Sequence, residues 1–159
     1  YKQGIFFLYD ILNRLIYTPV TITKQDITGK EPLPGALIEV YDAQGSTIYR
    51  AYTDENGQLP DIPLVPGSYT FKEIYAPEGY ALNVAVKTFT VTSEGKIIGE
   101  TEIRDEINKI QLKKVKENGE PLPGAVFGIY DANNTLVQQQ TSDASGHLTF
   151  SKLGYGTYT

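Results

Sequence analysis

Two stretches of this sequence repeat one spaced pattern, and the repeat constrains the fold more than any other feature. The segment PLPGA at 32–36 recurs at 121–125, an offset of 89 residues that also separates Asp42 from Asp131. Further pairs with this offset are Asp54 and Asp143, Gly57 and Gly146, Gly67 and Gly156, and Tyr69 and Tyr158. Lys24 matches Lys114 at an offset of 90. Agreement at so many positions predicts two homologous domains in tandem.

Each copy is predicted to be all-β, because short segments with alternating apolar residues are separated by turns rich in Gly, Pro, Asn and Asp. This pattern is typical of a β-sandwich. The predicted strands of the first copy are 18–24, 36–41, 47–53, 68–74, 84–92 and 101–107, with weaker signals at 57–59 and 96–98. Only 6–16 has a helical period, and it is weak.

These elements predict one β-sandwich domain at 18–107 and the start of a second, incomplete one at 108–159. Residues 1–17 are interpreted as the tail of a preceding domain or as a leader. The apolar stretch near the beginning, 5–16, is too short and too polar to span a membrane. Because the sequence lacks Met at position 1 and ends at Thr159 within a predicted strand, the chain is expected to be part of a longer polypeptide.

Composition excludes several classes of function. Apolar residues make up 40% of the chain, enough to build a core. Acidic residues outnumber basic ones by 19 to 14, which argues against a nucleic-acid partner. The chain has no cysteine, so it has neither disulfides nor thiolate metal sites. The acidic turn at 54–57 lacks the ligand spacing of a calcium loop. No metal and no cofactor is predicted.

Three ionisable residues fall on the apolar faces of predicted strands. Strand parity groups Lys24 with Val20 and Ile22, Glu73 with Tyr69 and Phe71, and Asp105 with Ile103 and Ile107. An isolated buried charge costs more free energy than a typical domain has in stability, so each group must pair or become neutral. An amine and a carboxyl in a dry site can form an ion pair, exchange a proton, or condense covalently.

In their order along the chain, these elements resemble the Cna B-type domains of Gram-positive surface proteins, also called SpaA-like prealbumin-like domains. The matching elements are the strand ending in Lys24, PLPGA at 32–36, the Tyr-Asp turn at 41–42, TDENG at 53–57 and PGSY at 66–69. The most specific element is EIYAPEGY at 73–80, which looks like the family signature Glu-x-x-Ala-Pro-x-Gly-Tyr. The resemblance covers about residues 18–159.

The resemblance implies a transthyretin-like or reversed immunoglobulin-like β-sandwich that serves as a stalk. Many members of the family form an isopeptide bond between a lysine of the first strand and an Asn or Asp of the last strand. Carried over to this sequence, Lys24 is the amine, Asp105 the acceptor and Glu73 the catalytic acid. Lys114 has the lysine role in the second copy, with its partner outside the chain.

Two asparagines are alternative acceptors. Asn108 competes with Asp105 but has the outward parity and lies at the domain junction, so it ranks lower. Asn13 lies 11 residues before Lys24 and is interpreted as the acceptor of a preceding domain. The alternative is that 1–17 is only a leader.

The resemblance thus predicts a structural stalk of a cell-wall-attached adhesin or pilin-like protein on the surface of a Gram-positive bacterium. The expected partners are neighbouring domains of the same polypeptide and, through other domains, host extracellular matrix. No enzymatic activity is expected apart from the self-catalysed crosslink. The alternatives are a module that binds a host ligand through its loops and an accessory domain of a larger surface enzyme.

Overall fold

The computed structural model describes residues 3–5 and 17–159. The predicted helical period at 6–16 and the predicted acceptor Asn13 lie outside the described residues. The chain divides into two units, one of Tyr1–Pro77 with Leu82–Asp105 and the other of Glu78–Ala81 with Glu106–Thr159.

The first unit is built from β-strands arranged in two layers. The strands are β1 (Thr18–Val20), β2 (Thr23–Asp26), β3 (Leu37–Tyr41), β4 (Thr47–Tyr52), β5 (Ile62–Leu64), β6 (Gly67–Tyr75), β7 (Lys87–Val91), β8 (Ile97–Gly99) and β9 (Glu102–Asp105). One layer is an antiparallel sheet in the order β4-β3-β6-β7-β8. The other layer contains the antiparallel pair β1-β5 and the parallel pair β2-β9.

The core lies between these layers and takes apolar side chains from both. Its buried residues are Val20, Ile22, Ile38, Val40, Leu59, Ile62, Leu64, Tyr69, Phe71, Phe89, Val91 and Ile103. In β2, β5, β6, β7 and β9 the buried positions alternate with accessible ones, and in β6 Tyr69, Phe71 and Glu73 face inward. The predicted all-β sandwich is confirmed.

The segment predicted as one strand at 18–24 is interrupted at 21–22, so this prediction was wrong in detail. Residues of β1 pair with β5, whereas β2 reaches Asp26, pairs with β9 and keeps a bridge from Thr23 to Gln58 on its other side. The facing segment carries Pro60 opposite this interruption, and proline in a sheet is confined to edges and bulges. In the second unit this position is Thr149, and the matching ladder is unbroken from Lys109↔Ser151 to Lys113↔His147.

Other boundaries also differ from prediction. The strand predicted at 84–92 is shortened to β7, because 84–86 lies outside the ladder. Residues 57–59 form no strand, although Gln58 makes an isolated bridge to Thr23. The three-residue β5 was missed because it contains Pro63.

The second unit repeats the local structure of the first. Its strands are β10 (Lys109–Lys113), β11 (Val126–Tyr130), β12 (Leu136–Thr141) and β13 (His147–Ser151). The repeat extends to single hydrogen bonds. Thr53 Oγ1 accepts from the Ala36 N–H at 3.0 Å and donates to the Leu33 carbonyl at 2.7 Å. In the second unit, Ser142 Oγ accepts from the Ala125 N–H at 2.9 Å and donates to the Leu122 carbonyl at 2.8 Å.

The two units differ in how well their first strands are covered. Val20 and Ile22 are fully buried, whereas their counterparts Ile110 and Leu112 are 38% and 40% exposed. Among the described residues 108–159 no strands correspond to β6, β7, β8 and β9, which cover the core of the first unit. The second unit therefore buries less apolar surface and gains less free energy from it.

Gly57 sets the position of Lys24. The Lys24 N–H donates to the Gly57 carbonyl at 2.7 Å, and the Lys24 carbonyl accepts from the Leu33 N–H at 2.9 Å. Gly57 has φ of +68°, and a Cβ there would meet the Lys24 carbonyl oxygen and, at 2.8 Å, the Leu33 nitrogen. Only glycine satisfies both the left-handed backbone and this close approach.

We expect Gly57→Ala to destabilise the first unit by about 3 kcal/mol or more, because backbone strain and a backbone clash add together. The matched control is Gly45→Ala, since Gly45 has φ of +81° but a Cβ added there would have no other atom within 4 Å. That variant should lose only about 1 kcal/mol. Denaturant unfolding of both variants measures the difference, and equal losses would contradict the close-approach argument.

We also expect the amide of Lys114 to exchange with solvent faster than that of Lys24. The two amides make equivalent hydrogen bonds of 2.7 Å, to the Gly146 and Gly57 carbonyls, so the local bond does not distinguish them. The difference should come from the weaker core of the second unit. Residue-resolved hydrogen exchange by NMR measures this, and equal protection would show that the exposed apolar face has no effect on stability.

Candidate functional site

The three predicted ionisable residues come together between the two layers of the first unit. Lys24 lies in β2 and Asp105 ends β9, the parallel neighbour of β2. Lys24 is opposite Ile103 in the register, so the period of two places Asp105 on the same buried face. Glu73 reaches the pair from β6 in the opposite layer.

These side chains are in direct contact and have no access to solvent. Lys24 Nζ lies 2.9 Å from Glu73 Oε1 and is hydrogen-bonded to Asp105 Oδ1. The side chains of all three are 0% exposed. The Lys24 amine therefore has two carboxyl groups in place of water, and the apolar core surrounds the cluster.

Burial controls the protonation of the two carboxyls. It raises the pKa of Glu73 to about 7, although the N–H of Asn83 and the Lys24 amine oppose this rise. Burial also raises the pKa of Asp105, again opposed by Lys24. A single cation can balance only one carboxylate, so the dry cluster favours one ionised and one protonated carboxyl.

Two oxygens of the cluster show where that proton fits. Among the described residues, the buried atoms Glu73 Oε1 and Asp105 Oδ2 have no hydrogen-bond partner. Glu73 Oε1 is close to Lys24 Nζ but lacks hydrogen-bond geometry toward it. Protonation of one carboxyl, which can then donate to the other, gives both oxygens a partner.

This arrangement can support the condensation of an amine with a carboxyl. The nucleophile and the acceptor are adjacent, and a second carboxyl beside them can supply and remove protons. The exclusion of water raises the pKa of both carboxyls and disfavours hydrolysis of the product.

The remaining predicted site residues have other surroundings. Asn108 donates from Nδ2 to the carbonyls of Tyr80 and Leu153, both at 3.1 Å, within the second unit. Lys114 has the same backbone frame as Lys24 but is only half-buried. The role of Asn13 stays a prediction.

Sequence reasoning missed Asn83, whose backbone N–H donates to Glu73 Oε2 at 2.9 Å. Residue 83 lies in the loop between β6 and β7, where strand parity gives no information. The one available signal was its place shortly after the signature at 73–80.

The described part of the chain lacks two further features. Residues 3–5 and 17–159 contain no group of three or more His, Asp or Glu side chains that could hold a metal ion. In the same residues no helix has the length and apolar character needed to cross a membrane.

The first unit is thus a two-layer β-sandwich with a lysine and two carboxyls between its layers. The family model of the SpaA prealbumin-like fold domain matches residues 18–107 and again 108–159. The chain belongs to this family.

Curated relatives include a bacterial surface protein. The chain is 34% identical over 82 residues to the trypsin-resistant surface T6 protein of Streptococcus pyogenes serotype M6, covering 51% of this chain and 15% of the relative. It is 26% identical over 154 residues to the serine-aspartate repeat-containing protein F of Staphylococcus epidermidis, covering 80% and 8%. The chain thus spans only a small part of these relatives.

Solved structures show the same similarity. The Bacillus anthracis TIE protein matches with 32% identity and a TM-score of 0.58, covering 91% of this chain and 28% of that one. The T6 backbone pilin of Streptococcus pyogenes is 33% identical with a TM-score of 0.45, covering 48% and 16%. The relatives therefore include a surface protein of Streptococcus pyogenes.

We expect Lys24→Met to make the stability of the first unit depend strongly on pH. Glu73 and Asp105 would stay buried without a cation, so their folded-state pKa values would lie further above the unfolded ones. Raised carboxyl pKa values mean that stability is present below about pH 4.5 and is lost as the pH rises through about 7. Over this pH range the free energy of unfolding of Lys24→Met should fall by about 3 kcal/mol or more.

The control adds Glu73→Gln and Asp105→Asn to Lys24→Met, because the cluster then has no titratable group. Denaturant unfolding between pH 4.5 and 8 should separate the two proteins, since all other groups titrate alike in both. Parallel curves would show that the carboxyls escape to solvent once the lysine is removed.

Proposed function

We propose that this chain is a stalk segment of a Gram-positive cell-surface protein, in which the first unit forms an amide bond between its own Lys24 and Asp105. One observation carries the proposal: the Lys24 amine is fully buried between the carboxyls of Glu73 and Asp105. The membership in the SpaA prealbumin-like family and the similarity to surface proteins support it. The proposed location is extracellular, at the cell wall.

The reaction begins with a proton transfer inside the cluster. The Lys24 ammonium gives a proton to the ionised carboxyl, which produces a neutral amine and two carboxylic acids. Because the number of protons in the cluster does not change, no group has to exchange with solvent. Burial makes this neutral state accessible, since it raises the pKa of both carboxyls.

Lys24 Nζ then attacks the Asp105 carboxyl carbon and forms the new C–N bond. Glu73 donates its proton to the carbonyl oxygen and takes one from the nitrogen, which leaves a neutral tetrahedral intermediate. Glu73 next protonates one hydroxyl, which leaves as water when its C–O bond breaks, and it recovers a proton from the other hydroxyl. The products are an amide, one water and an unchanged Glu73.

The bond would change how the first unit carries tension. Lys24 and Asp105 are 81 residues apart in sequence, and the amide would connect them directly. Force applied to the two ends of the unit would then pass through the covalent bond and bypass the strands between these residues. Hydrogen bonds alone resist force only as long as unfolding is slow. A stalk between a cell wall and neighbouring domains benefits from this property.

We expect the intact mass of the purified chain to be one water below the mass of its sequence. Glu73→Gln should restore the full mass, because the amide has nearly the shape of the acid but cannot relay protons. Lys24→Met should also restore it, since the nucleophile is absent. Intact-protein mass spectrometry measures the deficit, and peptide mapping should locate it to the peptides of Lys24 and Asp105.

Limited proteolysis tests the structural role of the bond. The crosslinked chain should resist trypsin longer than Glu73→Gln, because cleavage requires opening of the strands. A control variant outside the cluster, Glu55→Gln, changes an exposed carboxyl of a turn and should keep both the mass deficit and the resistance. A wild-type chain with its full mass would reduce the cluster to a buried ion pair beside a carboxylic acid.

A further inference from the structure

Asn83 connects the catalytic acid of the proposed reaction with the strand that carries the acceptor. Its backbone N–H donates to Glu73 Oε2 at 2.9 Å. Its side-chain Nδ2 donates to the backbone carbonyl of Arg104 at 2.8 Å, and its Oδ1 accepts from the Ala85 N–H at 3.0 Å. Arg104 directly precedes Asp105, so one half-buried residue contacts both sides of the cluster.

This contact makes the two oxygens of Glu73 unequal. Oε2 accepts the Asn83 N–H, whereas Oε1 lies 2.9 Å from Lys24 Nζ. An oxygen that accepts a hydrogen bond from an N–H is a poor place for the acid proton, because the two hydrogens would face each other. The Asn83 N–H therefore favours a proton on Oε1, which faces the reacting groups.

The backbone around Asn83 is not held by a sheet. Residues 81–86 belong to no strand, and Val84 and Val86 are 80% and 59% exposed. Side-chain hydrogen bonds such as Asn83 Nδ2 to the Arg104 carbonyl therefore matter more for the position of this loop than they would within a strand. The same bond ties the loop to β9 one residue before the acceptor.

We propose that Asn83 is a positioning residue for the crosslinking reaction. Its side chain anchors the loop to β9, and its backbone N–H then holds Glu73 with Oε1 turned toward Lys24 and Asp105. This inference rests on the proposed function, because it assigns a role in the same reaction. Asn83 touches none of the reacting atoms and acts only through Glu73.

The rate of water loss in the full chain tests this role. Wild type, Asn83→Ala and Asn83→Ser are made by cell-free synthesis, quenched at timed intervals and analysed by intact mass, with folding followed by amide NMR spectra. Serine can still accept the Ala85 N–H and keep the local turn, but it is too short to bond the Arg104 carbonyl. Both variants should react at least about tenfold more slowly than wild type.

The pH dependence separates positioning from a general loss of order. The reaction needs protonated Glu73, so the wild-type rate should fall as the pH rises through about 7. The charged groups facing Glu73 are Lys24 from β2 and Asp105 from β9, and the Asn83 N–H lowers the pKa of Glu73. A weaker N–H contact should move this alkaline decline to higher pH in both Asn83 variants.

The matched control is Thr92→Ala, which removes a loop-stabilising side chain of the same unit. Thr92 Oγ1 accepts from the Lys96 N–H at 3.1 Å in the turn between β7 and β8. This variant should keep the wild-type rate and pH dependence even though it is less stable. If Thr92→Ala slowed the reaction by the same factor, the positioning role of Asn83 would be overturned, because loosening any loop would then slow the reaction.

The outcomes distinguish the two proposals. A mass deficit in wild type, formed at unchanged rate and pH dependence in folded Asn83→Ala and Asn83→Ser, would overturn the role of Asn83 and leave the crosslink intact. Full mass in wild type would overturn the crosslink and with it the role of Asn83. The inference is supported if both variants react more slowly than wild type and the decline of their rate in alkali moves to higher pH.

Discussion

The burial of the Lys24 amine between two carboxyls is the interaction on which the first unit depends. A lysine and two acids without solvent access would destabilise the sandwich if any of them lacked a partner. The unit meets this requirement by drawing the groups from three strands, two in one layer and one in the other. The cluster therefore ties together both layers of the sandwich, and its protonation is coupled to their packing.

Much of the site could be predicted from the sequence, because strand parity does not depend on tertiary detail. Lys24, Glu73 and Asp105 each alternate with apolar residues, so their inward direction follows from the period of two once the segments are strands. The residues that support the site could not be found in this way. Asn83 acts from a loop through its backbone N–H, a group that every residue except proline carries.

The fold, too, was predictable where local sequence patterns determine it and unpredictable where contacts between distant segments do. The repeat and the turn residues predicted the two copies and the sandwich, since turns such as that at Gly57 need particular residue types. The interruption between β1 and β2 depends on the neighbouring segment, because Pro60 lies opposite it only after folding. A strand that is interrupted opposite a proline of its neighbour has no distinct signal in its own sequence.

The parallel pairing of β2 with β9 has a geometric consequence for the first unit. In a parallel pair, the start of one strand and the end of the other lie at opposite ends of the ribbon, and here Thr23 pairs with Glu102 while Asp26 pairs with Asp105. The polypeptide thus enters this ribbon at one end and leaves it at the other. An antiparallel pair would return the chain to its starting side, whereas this arrangement separates the point of entry from the point of exit by the length of the ribbon.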